Sequence, residues 1–252
     1  HKMQKDLKKV GEDTIKIYKE GQYNLHNEQV QIPQLEAPIY ITENELKKLK
    51  SKKLDHERVV TKNINCVQEI IANKDKKIAV LNFANPVCPG GGFLYGAAAQ
   101  EECICRCSNL YQSLLMCPQY YEAHQRHEIY SSDAIIKSVN TMFKNENYEL
   151  IEPVQFAVFT QAAVIAFNAD DDKKVAKVME QRIQAVCKYI GQEHFDVVIL
   201  GAYGCGAFKN DADCVISAFK EGIKFVDANE IVFAVLDRRQ TGLFDKFNKE
   251  FQ

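Results

Sequence analysis

The chain has 252 residues, of which 46% are hydrophobic and 26% are charged, and its formal net charge is −2. These proportions are those of an ordinary globular protein, and the length favours one large domain or one domain with an extension. A net charge this small excludes a broad basic surface for a long polyanion. Any polyanionic ligand must therefore be recognised locally, through backbone amides and a few side chains.

The cysteine content and the hydropathy of the chain indicate its surroundings. Nine cysteines occur without a signal-peptide pattern, so we expect free thiols in a reducing intracellular compartment, cytoplasm or nucleus, and no secretion. No apolar run approaches the roughly 20 residues that a membrane helix needs. We therefore expect no membrane partner.

The first part of the chain is charged and partly helical in pattern. Side chains that can pack recur at helical spacing along residues 4–20: Leu7, Val10, Thr14, Ile17 and Tyr18. This spacing predicts a helix that docks on the domain by one apolar face, and a partner-binding helix is the alternative. Residues 30–41 contain two prolines and predict an extended crossing. A capping box of Thr42 and Glu45 then predicts a short basic helix that ends near Leu54. Its lysines fit a solvated face better than a contact with an acidic polymer.

From residue 59 onward, predicted strands and helices alternate. The predicted strands are 59–64, 78–84, 134–143, 154–160, 196–200 and 231–236. The predicted helices are 65–72 with Asn65 as its cap, 98–116, 175–190, one that ends at Gly222 after a cap at Asn210 or Asp211, and a closing helix with Leu243, Phe244, Phe247 and Phe251 inward. Residues 120–133 are predicted as a long loop. Apolar strands that alternate with helices indicate a sheet covered on both faces.

Two of the predicted strands run directly into glycine-rich loops. Strand 78–84 leads to three consecutive glycines and then to Gln100-Glu101-Glu102, and strand 196–200 leads to residues 201–211. Consecutive glycines permit φ > 0 and a close approach of main-chain N–H groups to a phosphate. Ligands of open α/β sheets bind beyond the carboxyl ends of strands, so we expect both loops at one edge. Two adjacent carboxylates beside an anion site indicate acid–base chemistry.

These two loops also carry a family resemblance. GGG, seven residues and QEE resembles the signature of poly(ADP-ribose) glycohydrolases, and NP-x-x-PGGGFL-x-G-A-x-AQEE with Ser108-x-x-Tyr111 resembles their microbial branch. The segment GAYGCGAFKND, residues 201–211, is similar to the family's diphosphate-binding loop. The resemblance implies a three-layer, macrodomain-like α/β fold with a mixed sheet over residues 57–252, and residues 1–56 as an N-terminal helical extension packed on this core. It also implies a hydrolase that releases ADP-ribose from poly(ADP-ribose) chain ends by cleaving the ribose–ribose O-glycosidic bond.

The resemblance assigns roles to individual residues. Glu102 aligns with the acid that protonates the departing ribose oxygen and then activates water, and Glu101 aligns with the neighbour that fixes the scissile ribose. Both could instead be favourable anions in a first helical turn, worth roughly 0.3–1 kcal/mol. Asn85 and Phe208 match residues that contact the terminal ribose, with a turn residue and a core phenylalanine as the alternatives. The remaining substrate-binding residues are Gln100 and the residues whose amides would hold the diphosphate: Gly90, Gly91, Gly92, Gly204, Cys205, Gly206 and Ala207.

No cofactor and no metal site are expected. On a helix, Cys103 and Cys107 share a face while Cys105 points away, so this cysteine run does not converge on a tetrahedral ion. Residues 170–172 lack the spacing of a calcium loop, and we expect them to precede a helix beginning near Lys174. The expected partners are poly(ADP-ribose) or ADP-ribose and ADP-ribosylated carrier proteins, with no stable nucleic-acid partner and a monomeric state. A reader macrodomain that binds ADP-ribose and a mono-ADP-ribosyl hydrolase stay open as alternatives.

Overall fold

The centre of the fold is a seven-stranded mixed sheet with helices on both faces. The structure, a computed structural model, describes residues 6–56, 58–125, 130 and 132–252. The strands are β1 (Gln22–Leu25), β2 (Glu28–Gln31), β3 (Ile39–Ile41), β4 (Val59–Lys62), β5 (Ile78–Ala84), β6 (Ile135–Lys144), β7 (Leu150–Ala162), β8 (Phe195–Leu200) and β9 (Ala228–Ala234). The helices are α1 (Leu7–Glu20), α2 (Glu43–Lys47), α3 (Cys66–Ala72), α4 (Gln100–Cys107), α5 (Leu110–Leu115), α6 (Pro118–Gln125), α7 (Asp172–Ile190), α8 (Ala212–Gly222) and α9 (Leu243–Glu250).

The strand order of the large sheet is β3-β6-β7-β5-β8-β9-β4. Neighbours from β7 to β4 pair in parallel, whereas β6 pairs antiparallel with both β3 and β7. The predicted macrodomain-like α/β fold with a mixed sheet is confirmed. Because β5 and β8 are parallel neighbours, the two glycine-rich loops that follow them leave the sheet at the same edge.

Alternation along β5 divides the core into two layers. Ala79 and Leu81 pack with α7 and α8 on one face, while Ile78 and Val80 pack with α3 and α4 on the other. All four side chains are at most 2% exposed, as expected for a parallel strand covered on both sides. The predicted three-layer arrangement is therefore confirmed at its central strand.

The N-terminal part of the chain packs on this core. The helix predicted over residues 4–20 is present as α1, with Asp6 as its N-cap and Gly21 in the left-handed conformation at its end. Strands β1 and β2 form a hairpin that the sequence analysis missed, and His26 and Asn27 hold its turn at φ 50° and 65°. Strand β3 joins the large sheet. The division of the chain into an extension, residues 1–56, and a catalytic domain, residues 57–252, stays a prediction.

Three predicted elements differ from the structure. The capping box of Thr42 and Glu45 is present, but α2 ends at Lys47 and not near Leu54. The helix predicted over residues 98–116 is two helices, because Ser108 bridges to Met142 of β6 and interrupts it. Residues 118–125 form α6 where a loop was predicted. The rest of that predicted loop includes residues 126–129 and 131, which lie outside the described residues.

The remaining predicted bounds hold to within a few residues. Asn65 and Asp211 cap α3 and α8 as predicted, while α7 begins at Asp172 after a cap at Asp171, slightly before the predicted start. In the part of the chain that the structure describes, none of the helices combines the length and the hydropathy needed to cross a membrane.

Candidate active site

The site is a cavity of about 460 Å³ at the carboxyl ends of β5, β8 and β9. Both glycine-rich loops and the start of α4 contribute to its walls. The residues that line it are Ile64, Asn65, Cys66, Phe83, Asn85, Ala98, Ala99, Gln100, Glu101, Glu102, Cys103, Ala163, Ala202, Gly204, Gly206, Ala207, Phe208, Ala234, Val235, Leu236 and Leu243. The cavity therefore brings together most of the residues that the sequence analysis selected.

The Gln100 side chain lies between the ends of β5 and β8, where the cavity begins. Strand β5 pairs with β7 as far as Ala84, but its pairing with β8 ends at Val80. Beyond that point the Gln100 amide replaces β8: its Oε1 accepts from the N–H of Phe83 at 2.8 Å and its Nε2 donates to the carbonyl of Leu81 at 2.9 Å. Gln100 was predicted to bind substrate. Its amide completes the hydrogen bonds of β5 and holds α4 in the gap between the strands. Gln100 also lines the cavity, and its contact with substrate stays a prediction.

Glu101 points away from solvent into the core. Its side chain is 2% exposed, its Oε1 accepts from the N–H of Asn85 at 2.9 Å and its Oε2 accepts from Nδ2 of Asn82 at 3.0 Å. Burial raises the pKa of Glu101 to about 8, although both hydrogen bonds favour the ionised form. This carboxyl group thus ties α4 to the beginning of the glycine loop.

Glu102 is half-buried and faces both the cavity and the glycine loop. Its Oε1 accepts from the N–H of Gly92 at 3.2 Å. A Cβ on Gly91 would clash with that oxygen and would lie 3.1 Å from Cδ of the same carboxylate. The absence of a side chain at Gly91 therefore makes room for Glu102.

The triple glycine is shaped by the protein around it. Gly90 and Gly91 have φ 72° and 59°, which side chains rarely adopt. The N–H of Gly91 donates to the carbonyl of Cys88 at 2.9 Å, while that of Gly92 goes to Glu102. These two amides are thus engaged within the protein, and residues 90–92 are not among the cavity lining. That the three glycines hold a diphosphate stays a prediction.

Four residues of the second loop line the cavity and have unpaired backbone N–H groups. Within the described residues, no protein acceptor is found for the N–H groups of Gly204, Gly206, Ala207 and Phe208, and all four residues line the cavity. Unpaired N–H groups in residues that line one cavity are suited to a phosphate or diphosphate. Cys205 differs from these residues, because its N–H donates to Ala202 at 3.1 Å and it is not among the lining residues.

The fold holds this second loop in place. Gly204 has φ 73°, and a Cβ there would lie 2.6 Å from Cβ of Ala163 and 2.7 Å from Nδ2 of Asn210. The buried Asn210 amide donates to the carbonyls of Gly204 and Val164 at 3.0 and 2.8 Å. Asn210 and Ala163 therefore fix the conformation of a loop whose residues line the cavity.

The two residues expected at the terminal ribose both reach the cavity. Oδ1 of Asn85 accepts from the N–H groups of Val87 and Cys88 at 2.8 and 2.9 Å, so the turn interpretation of this residue holds. The amide nitrogen is then the group that Asn85 can offer to a ligand. Phe208 is half-buried beside the free amides. Both ribose contacts stay predictions.

Sequence reasoning missed three residues of this site. Phe83 lines the cavity and packs over Gly201, where a Cβ would lie 3.0 Å from its ring. Asn82 is a fully buried polar residue in an otherwise apolar strand, which is a signal that the sequence did contain. Arg106 donates to the carbonyls of Phe93 and Ala97 in the segment after the triple glycine and to the carbonyl of Leu7 on α1. The bond to Leu7 joins residues 99 positions apart, so no local pattern identifies it.

The cysteines near the site are thiols. All nine cysteines lie among the described residues and are free. Cys103 and Cys66 line the cavity, and burial raises the pKa of both thiols. Across the described part of the chain, no group of three or more His, Cys, Asp or Glu residues is arranged to hold a metal ion.

Comparisons with known proteins extend these observations. A model of the microbial-type poly(ADP-ribose) glycohydrolase (PARG) catalytic domain matches residues 11–145. The chain is similar to the solved PARG of Thermomonospora curvata, with 26% identity over 97% of this chain and 99% of that one and a TM-score of 0.87. The structure of that enzyme bound to the inhibitor ADP-HPD matches at 27% identity with the same coverage and TM-score.

A second bacterial relative has been solved with ADP-ribose bound. The PARG of Deinococcus radiodurans in complex with ADP-ribose matches at 27% identity over 84% of this chain and 93% of that one, with a TM-score of 0.76. The comparison with curated proteins gives no match.

Proposed function

The chain belongs to the family of microbial-type PARG catalytic domains, and on this premise we propose that it releases ADP-ribose from the ends of poly(ADP-ribose). The bond that breaks is the O-glycosidic bond between two riboses. The observation that carries the proposal is that one cavity is lined both by residues 204 and 206–208, whose N–H groups have no acceptor among the described residues, and by Glu101 and Glu102. The amides suit a diphosphate and the glutamates suit glycosidic chemistry.

Glu102 carries the proton in this proposal. As the glycosidic C–O bond breaks, the Glu102 carboxyl donates its proton to the departing ribose oxygen, and the terminal sugar becomes an oxocarbenium ion. Water then adds to the anomeric carbon, and the ionised Glu102 accepts the proton that the water loses. Each turnover consumes one water and returns Glu102 to its starting state.

Glu101 fixes the geometry of the reaction. Its two oxygens accept from Asn85 and Asn82, which couples the ribose-facing end of β5 to the helix that carries Glu102. We therefore assign Glu101 the support of the scissile ribose, through Asn85, and leave proton transfer to Glu102. The N–H groups of Gly204, Gly206, Ala207 and Phe208 then bind the diphosphate of the terminal ADP-ribose.

Two other functions would use the same cavity. A reader macrodomain would bind ADP-ribose without cleaving the polymer, and a mono-ADP-ribosyl hydrolase would cut the link to a protein. The glutamate pair favours hydrolysis over reading, because binding a dianion gains nothing from two adjacent carboxylates. The polymer is favoured over the protein link by the family to which the chain belongs.

One experiment separates these three functions. The protein is incubated with automodified poly(ADP-ribose) and, in parallel, with a mono-ADP-ribosylated protein, and free ADP-ribose is followed by chromatography. Release of monomeric ADP-ribose from the polymer without accumulation of short oligomers is expected, and Glu102→Gln serves as the inactive control. Binding without release would identify a reader, and release from the mono-ADP-ribosylated protein alone would identify the other hydrolase.

The proposal extends to the domain organisation, the partners and the cellular location of the protein. We propose that residues 1–56 pack as an extension on the catalytic domain, residues 57–252, in a monomer that acts on ADP-ribosylated carrier proteins. Free thiols at all nine cysteines support an intracellular, reducing location.

A further inference from the structure

Arg106 is a buried cation that the proposed reaction does not use. Its side chain is 0% exposed. It hydrogen-bonds to the Tyr148 side chain and to three main-chain carbonyl oxygens. Nε donates to Leu7 at 3.2 Å, and Nη2 donates to Phe93 at 3.1 Å and to Ala97. Another fully buried arginine, Arg182, has a carboxylate, that of Asp133, at 3.4 Å. A guanidinium that is buried on neutral oxygens is costly, and its presence indicates a role beyond filling space.

Arg106 and Glu102, both on α4, hold two parts of the glycine loop: residues 90–92, its first half, and residues 93–97, its second half. They are separated by four residues on α4 and therefore project from one face. Glu102 accepts from Gly92 in the first half of the loop, whereas Arg106 donates to Phe93 and Ala97 in the second half. The loop is thus fastened to α4 at two points one turn apart. Movement of the second half would carry Gly92 with it and change the position of the Glu102 carboxylate.

Helix α1 supports this arrangement from behind. Its Gly11 packs against Phe93, since a Cβ at Gly11 would lie 3.3 Å from the Phe93 carbonyl oxygen and 3.4 Å from the ring. Thr14 Oγ1 donates to the carbonyl of Arg106 at 2.6 Å. The buried Lys144 ammonium donates to Thr14 Oγ1 at 2.9 Å and pairs with Asp13 at 2.7 Å. Helix α1 is therefore fastened to the helix and the loop that form one wall of the site.

We propose that Arg106 is a positioning residue for the catalytic carboxylate and that it couples helix α1 to the glycine loop. The inference rests on the proposed function of Glu102. Arg106 does not touch the substrate, because its guanidinium is enclosed by the carbonyls of Leu7, Phe93 and Ala97. It acts by fixing the loop segment that follows Gly92. Since small displacements of a catalytic group can cost about 100-fold in rate, loss of this contact is expected to lower kcat more than binding.

Arg106→Lys is the variant that tests the proposal. A lysine keeps the charge but presents one compact ammonium, which cannot reach three carbonyls in a fork geometry. We expect kcat on poly(ADP-ribose) to fall by about 10- to 100-fold. The Kd for ADP-ribose is expected to change by less than about threefold, because the free amides belong to the other loop. Arg182→Lys, on α7, is the matched control for weakening a buried guanidinium, and its kcat is expected to stay within about twofold of the parent enzyme.

Hydrogen exchange gives a readout that does not depend on turnover. Peptides that cover residues 90–97 are compared between the parent protein and Arg106→Lys by mass spectrometry. Faster exchange in these peptides, with unchanged exchange in those that cover residues 201–211, is expected. If the parent protein releases no ADP-ribose from polymer, the proposed function fails. The exchange experiment then still decides whether Arg106 fixes the loop.

A second pair of variants covers the case in which Arg106→Lys does not fold. Gly11→Leu forces α1 away from Phe93 and leaves the Arg106 side chain unaltered. Glu12→Leu is the control, because it introduces the same side chain at the exposed neighbouring position. We expect Gly11→Leu to lower kcat and to speed exchange of residues 90–97, and Glu12→Leu to do neither. Equal kcat in folded Arg106→Lys and in the parent, equal losses in Arg106→Lys and Arg182→Lys, or an unchanged exchange rate in Gly11→Leu would each overturn the proposal.

Discussion

Nδ2 of Asn82 donates to Oε2 of Glu101 at 3.0 Å, from the middle of a strand whose other side chains are apolar. The same Asn82 nitrogen also lies 3.1 Å from Oγ1 of Thr160 on β7. The buried carboxyl group is thus held from the centre of the sheet on one side and by the Asn85 N–H on the other. The two adjacent glutamates both line the cavity but differ in burial: Glu101 is 2% exposed and Glu102 is half-buried.

Glu102→Gln is expected to keep ADP-ribose binding and to lose turnover. The glutamine side chain can still accept from Gly92, so the loop keeps its shape, but it can neither deliver nor accept the proton. General acid–base assistance contributes about 10²- to 10⁴-fold, and a loss near the upper end is expected. Initial rates on polymer and calorimetric titration with ADP-ribose measure the two quantities. A variant that keeps more than about a tenth of the parent rate would remove Glu102 from the role of the acid.

The burial of Glu101 predicts a pH dependence of stability. Its pKa is raised from 4.5 to about 8 in the folded protein, so the folded state binds a proton that the unfolded chain releases. The contribution of Glu101 to the free energy of unfolding is then fully present below pH 4.5. It is lost as pH rises toward 8, by up to about 1.4 kcal/mol per pH unit.

Urea unfolding at several pH values tests this expectation. The parent protein is expected to lose stability relative to Glu101→Gln between about pH 4.5 and pH 8, because a glutamine does not titrate. The quantity compared is the slope of the free energy of unfolding against pH, because the amide also changes the hydrogen bonds to Asn82 and Asn85 at every pH. Parallel curves for the two proteins would contradict the raised pKa.

Gly91→Ala is expected to damage catalysis through Glu102. The new methyl group would clash with Oε1 of Glu102 and would impose φ 59° on a residue with a side chain. We expect a loss of kcat of at least about tenfold, with a smaller change in ADP-ribose affinity. Gly96→Ala is the matched control, because its φ is 93° and its Cβ would have no neighbour within 4 Å. Equal effects of the two substitutions would attribute the loss to backbone strain alone.

The free amide at position 207 predicts a loss of binding. Ala207→Pro removes this N–H, and a hydrogen bond to a charged group contributes about 1.5–3 kcal/mol. The affinity for ADP-ribose is therefore expected to fall by about 10- to 100-fold. Ala207→Ser keeps the amide and is expected to bind as the parent does. Calorimetric titration on variants that melt cooperatively makes the comparison, and full affinity in Ala207→Pro would exclude this amide from the anion site.

Turnover is expected to be independent of metal ions. The site offers amides and carboxylates for an organic anion, and the reaction as proposed needs only water and Glu102. Activity on polymer is measured after dialysis against a chelator and again after addition of single divalent ions. If the chelator abolishes activity and one metal restores it, the assignment of the catalytic groups is wrong.

Local chemistry made a large part of the fold predictable. The side chain of Asn65 caps α3 by accepting from the N–H of Gln68. The side chain of Asp211 caps α8 by accepting from the N–H groups of Asp213 and Cys214. The buried strands were recognised from short apolar runs. Both glycine loops were placed correctly because parallel strands bring their carboxyl ends to one edge.

The features that escaped prediction depend on distant parts of the chain. The break at Ser108 arises because Asn109 exchanges hydrogen bonds with Thr141 of β6, at 3.2 and 2.9 Å. Gln100 is predicted from the sequence as a substrate-binding residue, and its second role, the replacement of a missing strand by its amide, is seen only in the structure. Three partners of Arg106 are main-chain carbonyls, which carry no residue identity. Side-chain patterns alone cannot reveal contacts of this kind.

The attachment of α1 also has a consequence for the order of folding. Its hydrogen bonds to Arg106 and Lys144 join residues that are 92, 99 and 130 positions apart. Closing loops of this length costs entropy before any contact repays it, so such contacts form late. During synthesis, the first helix must wait for β6 to be made before it can dock completely. The wall that carries the glutamates therefore reaches its final shape only after β6 has been made, although Glu101 and Glu102 precede β6 in the chain.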